Sequence, residues 1–157
     1  MLIEVKIGAL IMDPNSSTPI VVLKGVESET ILPIWVGAYE ANAIALEIEK
    51  IVPQRPMTHD LLRNLITQVG YRVVRVIVND LLDNTFYAQI ELVDEKGQAL
   101  SLDARPSDAI ALALRADCPI FVAQKVLDIS NATTAKNKAE NEEDVSKPTE
   151  EWPDVIG

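Results

Sequence analysis

Fifteen residues, Ser101 to Arg115 (SLDARPSDAIALALR), constrain the fold of this chain more than any other stretch. Leu100, Leu102 and Ala104 alternate with Ser101, Asp103 and Arg105, the period-two pattern of a half-buried strand. Pro106 has no N–H to give to a ladder and ends that strand. Proline suits the first turn of a helix, Ser107 can bond free amides, and Asp108 complements the positive helix end. The segment that follows, AIALALRA, is apolar on nearly every side until Arg115, so it belongs in the interior of a small domain. Asp103, Arg105, Ser107 and Asp108 therefore form a polar cluster at the mouth of a buried helix.

The rest of the chain supplies layers to bury that helix. Ile3, Val5, Ile7, Ala9 and Ile11 alternate as a first strand; the turn formers of DPNSSTP follow, then strands at 19–24 and 30–36. Pro33 places the last of these at an edge or a bulge. Ala41, Ile44, Ala45 and Ile48 have helical spacing, and Pro53 and Pro56 form a rigid connector. Thr58 is the expected N-cap of a second helix, with an apolar stripe of Leu61, Leu62, Leu65, Ile66 and Val69 and a stop at Gly70. Strands are expected at 71–79, 85–93, 99–104 and 119–123, with Val126 to Ile129 closing the domain. The tetrad Ala43-Ile-Ala-Leu46 recurs as Ala109-Ile-Ala-Leu112, a weak internal echo. The expected architecture is a single α+β domain over 1–130, a mixed, largely antiparallel sheet with about three helices. Residues 131–157, charged and almost without large apolar side chains, read as an acidic low-complexity tail with the composition of disorder, Trp152 near its end.

Charge limits the function classes. The net charge is −10; residues 131–157 hold three lysines against seven carboxylates, which leaves −6 for residues 1–130. A protein that coats nucleic acid is basic, so any nucleic-acid chemistry must rest on a local site or a metal ion. The lone Cys118 excludes an intramolecular disulfide and fits a reducing compartment. The N-terminus reads as a strand and no run spans a bilayer, so the expectation is a soluble, cytoplasmic protein without membrane contact.

Three chemistries suit the residues. Arg105 and Arg55 can engage phosphate, although no glycine-rich loop of a nucleotide-binding type is present. Asp103, Asp108 and Glu40 are candidate ligands for Mg²⁺ or Mn²⁺, which need few carboxylates when substrate phosphate and water complete the shell. His59, the single histidine, sits beside Thr58 and Asp60 at a helix start as a candidate general acid or base. Each residue has a plainer role: Asp103 can pair with Arg105 on one strand face, and Asp60 and Asp108 suit a helix dipole.

LPIWVGAYEANAIALEIE (Leu32–Glu49), RPMTHDLLRNLI (Arg55–Ile66) and LDARPSDAIALALR (Leu102–Arg115) resemble the bifunctional nuclease family, in order from about Met1 to Leu127. The resemblance implies a compact, often self-associating α+β domain, a dimer being favoured, that hydrolyses phosphodiester bonds in RNA, DNA or both with help from Mg²⁺ or Mn²⁺ and no organic cofactor. It carries over Glu40, Arg55, Thr58, His59, Asp60, Asp103, Arg105, Ser107 and Asp108. Asp103, Asp108 and Glu40 are expected at the metal; His59, Asp60, Asp103 and Asp108 in catalysis; Arg55, Arg105, Ser107 and Thr58 at the substrate. The alternative is a non-catalytic regulatory or interaction domain in which the Arg-Pro-Ser-Asp cluster is structural.

Overall fold

The structure, a computed structural model, describes residues 1–143. Strands β1 (Leu2–Asp13), β2 (Thr18–Gly25) and β3 (Ile31–Trp35) form an antiparallel meander. Helices α1 (Ala38–Ile48) and α2 (Thr58–Gln68) follow, then a second meander of β4 (Tyr71–Leu82), β5 (Thr85–Asp94) and β6 (Ala99–Ala104). Helix α3 (Pro106–Ala116) leads to the short β7 (Ile120–Ala123) and to α4 (Gln124–Glu143). One mixed seven-stranded sheet results, in the order β3-β2-β1-β7-β4-β5-β6.

Strand β7 joins the two meanders. It pairs antiparallel with β1 and parallel with β4, so the chain from β6 through α3 to β7 is a crossover that must pass over β5 and β4. That path explains why α3 carries so little polarity. Ala109, Ile110, Ala111, Leu112 and Ala113 are all buried, packed with sheet residues such as Val76, Val78, Ala88 and Ile90 in one core. The alanines let α1 and α2 approach α3 closely, and Ile44 and Ile66 reach the same core.

Several expectations need correction. The N-cap of α2 is Met57, not Thr58, which is the exposed first residue of the helix. Asp60, at the third helical position, reaches back instead: its Oδ2 accepts the backbone N–H of Met57 at 2.9 Å, the return bond of a capping box. Of the five-residue stripe on α2, only Ile66 is buried and Leu62 partly so; Leu61, Leu65 and Val69 face outward. Gly70 does stop the helix, with φ +88°, a conformation that glycine adopts without penalty. Residues 124–143 form one helix, which runs across the boundary expected at residue 130. Its first turn buries Val126 and Leu127 in the core. The rest of the expected tail, with Trp152, lies outside the described residues. Cys118 packs against the core, and burial pushes its thiol up to about 11.

Candidate active site

The first turns of α1, α2 and α3 converge on an outer polar cluster, and a linked inner cluster forms where Asp60 of α2 meets the last turn of α3. The outer cluster centres on Arg105, the N-cap of α3. Its Nη2 donates to Glu40 Oε1 at 2.6 Å and to Asp108 Oδ2 at 2.8 Å, and its Nε reaches the same Asp108 oxygen at 3.0 Å. The other oxygen of Asp108 meets His59 Nε2 at 2.9 Å. Helices α1, α3 and α2 thus contribute Glu40, Arg105 with Asp108, and His59.

Local sequence explains each placement. Gly37 is the N-cap of α1, and a Cβ there would collide with Glu40 Oε2, so glycine leaves room for the Glu40 carboxylate to fold back. Pro106 fixes the first helical position of α3, which turns Asp108 toward the helix start beside Arg105. His59 lies in the first turn of α2, where it is only 12% exposed, whereas the Arg105 side chain is 66% exposed.

Burial works to raise the Asp108 carboxyl, but hydrogen bonds from His59 and Arg105 and the arginine charge hold it below its ordinary value. The same bonds to Asp108 and Glu40 keep the Arg105 guanidinium more firmly protonated than usual. With Nε2 carrying the proton donated to Asp108, the imidazole keeps Nδ1 free as a proton acceptor.

The inner cluster centres on Arg115, which composition alone left as the end of an apolar helix. Its side chain is 2% exposed. Nε donates to Asp60 Oδ1 at 2.8 Å, Nη1 to the Ala111 carbonyl at 2.9 Å and Nη2 to the Ala43 carbonyl at 2.9 Å. Glu47 lies 3.9 Å away, and Arg63 reaches back to the Arg115 carbonyl. Burial opposes ionisation of Asp60, but the Met57 N–H, the Arg115 hydrogen bond and the charges of Arg115 and Arg63 bring its carboxyl below the usual value. Because His59 and Asp60 are consecutive, the inner cluster anchors the turn that presents His59 to Asp108.

The expected residues do not all assemble. Glu40, His59, Arg105 and Asp108 come together; Asp60 serves the inner cluster. Asp103 does not join them. It is exposed and registered opposite Gln89, while its neighbours Leu102 and Ala104 pack on the core beneath the helices. Alternate strand residues point to opposite faces, so Asp103 lies on the face of the sheet away from α1–α3. It makes no ion pair with Arg105, which turns to Glu40 and Asp108 instead. Ser107 is buried and no side chain caps α3. Arg55 and Thr58 are exposed and join neither cluster.

A divalent ion finds no ready ligand set in this arrangement. The carboxylates of Glu40 and Asp108 point at a guanidinium, Asp103 is across the sheet, and among the described residues no three His, Cys, Asp or Glu side chains are placed to share an ion. A cleft of about 270 Å³ lies between β1 and the C-terminal end of α1, lined by Ile7, Leu10, Ala45, Ile48 and Glu49 among others. It shares no residue with either cluster.

A family model described as the bifunctional nuclease domain matches residues 21–135. An uncharacterized protein of Mycobacterium tuberculosis is 40% identical over 124 residues, 79% of this chain and 73% of its own length. Bifunctional nuclease 2 of Oryza sativa subsp. japonica is 32% identical over 97 residues, 60% of this chain and 30% of that protein. Bifunctional nuclease 1 of Arabidopsis thaliana is 32% identical over 108 residues, 66% of this chain and 33% of that protein.

Proposed function

This chain belongs to the bifunctional nuclease domain family, and from that premise we propose that it hydrolyses phosphodiester bonds in RNA, DNA or both at the outer cluster. The observation that carries the reading is the contact of His59 Nε2 with Asp108 Oδ1 at 2.9 Å beside an exposed Arg105. An imidazole oriented by a carboxylate is a general base; a guanidinium next to it is a phosphate-binding group. In this reading Arg105, assisted by the exposed Arg55 and Thr58, holds the phosphodiester. His59 Nδ1 takes a proton from water as the water oxygen attacks phosphorus. The P–O bond to the leaving sugar oxygen then breaks, and the imidazolium returns the proton to that oxygen. Binding requires Arg105 to turn part of its fork from Glu40 toward substrate, which its 66% exposure permits.

Mg²⁺ or Mn²⁺ has no part in this reading, because two of the expected ligands, Glu40 and Asp108, are engaged by Arg105 and the third, Asp103, faces away from them. Glu40 and Asp108 offset the charge of Arg105 in the closed cluster, so in this reading a phosphate competes with Glu40 for the guanidinium. No described helix is long and apolar enough to cross a membrane, and the lone thiol suits a reducing, cytoplasmic setting.

A second reading rests on a different feature of the same cluster: both acids and both bases are already partnered within the protein. In that reading the cluster is a clasp holding α1, α2 and α3, and the domain serves interaction rather than catalysis. Hydrolysis of labelled single-stranded RNA and DNA by purified protein, with His59→Asn and Arg105→Ala variants and with chelator, separates the two. Activity that is lost in both variants while their unfolding temperatures hold supports catalysis. Activity indifferent to both, with lowered unfolding temperatures, supports the clasp.

A further inference from the structure

Tyr39 has the most exposed large apolar or aromatic side chain among the described residues, at 90%. Nothing in the fold calls for an aromatic ring there. It is the second residue of α1, where alanine has the better helix propensity, and a ring so exposed contributes almost no apolar burial. The helix sets its place relative to the outer cluster. Tyr39, Ala43 and Glu47 recur every four residues and form one row along α1. Ala43 is buried, and Glu47 lies 3.9 Å from Arg115 of α3, so this row follows the side of α1 that meets α3. Side chains on a helix lean toward its N-terminus, the end at which Glu40 receives Arg105 at 2.6 Å. The ring of Tyr39 therefore stands uncovered at the rim of the outer cluster, next in the chain to the residue that holds Arg105.

We infer that Tyr39 is a base-stacking residue: its ring packs against an unpaired nucleobase beside the phosphate that Arg105 receives. The inference rests on the proposed binding of a phosphodiester at Arg105 and adds the group that meets the neighbouring base. Two observations carry it together: a guanidinium 66% exposed, and an aromatic ring 90% exposed one residue from that guanidinium's partner. Base and phosphate of a nucleotide are joined through one sugar, so a cation beside an open π-face matches both ends. Glu40 and Asp108 offset the charge of Arg105, so stacking supplies affinity that electrostatics leaves short. Every base has a π-face, so the contact tolerates all sequences. A base inside a duplex has both faces covered by its neighbours, so the contact requires a strand that is single or locally opened.

Fluorescence-anisotropy titration of a short labelled single-stranded DNA with the full chain tests it. Tyr39→Ala, Tyr39→Leu and Tyr39→Phe are each made in a His59→Asn background that keeps the strand uncut. Alanine should raise the dissociation constant about five- to hundredfold, leucine nearly as far, and phenylalanine by no more than about twofold. On a strand of the same length built from abasic sugars, the background protein and its alanine variant should bind alike. Unfolding temperatures should hold, because the side chain is exposed. Equal affinity of the alanine variant and its background for the normal strand overturns the inference. So does a loss that persists on the abasic strand, a phenylalanine variant as weak as alanine, or no binding to either strand. Hydrolysis is measured separately with His59 intact. Binding that depends on Tyr39 without any hydrolysis defeats the catalytic reading and keeps the stacking. Hydrolysis with kcat/KM indifferent to Tyr39→Ala keeps the catalytic reading and defeats the stacking.

Discussion

His59 and Asp108 stand 49 residues apart in the chain, yet Nε2 of one lies 2.9 Å from Oδ1 of the other. The contact joins the first turn of α2 to the first turn of α3, and an ionised Asp108 as acceptor favours the neutral imidazole with its proton on Nε2. Replacement of His59 by Asn should therefore lower nuclease activity by about 10²- to 10⁴-fold, the usual contribution of a positioned acid or base. The single-turnover rate on RNA checks this. Because the chain has one histidine, nitrogen NMR of the ring also reads the tautomer directly: the neutral ring should carry its proton on Nε2 in the parent and lose that bias in Asp108→Asn.

Asp103 provides the opposite case. It sits on the face of the sheet away from the cluster, so Asp103→Asn should retain activity within about twofold, and its unfolding temperature should barely move, as expected of an exposed substitution. Calorimetric titration of Mg²⁺ or Mn²⁺ into the free protein should show no tight site, and Glu40→Gln should not alter that result. A saturable site abolished by Asp103→Asn would overturn this geometry.

Asp60 and Asp108 are among the carboxyls that the fold depresses, and acid stability depends on them. Their folded values lie below the unfolded value of about 3.9. The stability they contribute is fully present above that value and is lost as pH falls through the folded values. Unfolding temperatures measured from neutral pH downward should fall steeply below about pH 4. Asp60→Asn should be less stable at neutral pH and show a flatter acid limb, because its amide has no proton to gain.

The two meanders and the buried α3 were legible because period-two and all-apolar patterns are local properties of the chain. Strand β7 was recognisable as a strand, but its place between β1 and β4 depends on a crossover spanning two strands, which no local pattern records. Helix α2 shows a second limit. It carries two apolar rows, one with Leu62 and Ile66 and one with Leu61, Leu65 and Val69, and periodicity alone does not say which row meets the sheet. Glu40, His59, Arg105 and Asp108 stood out in the sequence as polar residues at helix entries, and these four side chains meet. Asp103 shared their neighbourhood in sequence, yet the strand alternation that identified its strand also turns it to the other face. Thr58 looked like a cap by residue type, but the helix starts one residue earlier, and Asp60 reaches back to the amide of Met57, the N-cap.

Arg115 was missed as a site-forming residue because an arginine at the end of an apolar helix ordinarily extends into solvent. Here its side chain is 2% exposed, and each nitrogen has a partner on a different segment: Asp60 of α2, Ala111 of α3 and Ala43 of α1. Truncation would leave Asp60 without its main counter-charge and remove the second hydrogen bond of two helix carbonyls, Ala111 and Ala43. Arg115→Met should destabilise the fold by about 3–5 kcal/mol, the cost of removing one partner of a buried ion pair, read as a shift of the urea midpoint at constant slope. Arg115→Lys keeps the charge but has no planar fork to span three acceptors, so it should fold with partial loss. Asp60 adjoins His59, and a loosened Asp60 lets the first turn of α2 shift against α3. The lysine variant should therefore also weaken the Nε2 tautomer bias of His59, although Arg115 touches neither His59 nor Asp108. A core variant of matched stability loss, Ile66→Val, should leave that bias intact, and an equal change in both variants would reduce Arg115 to a packing role.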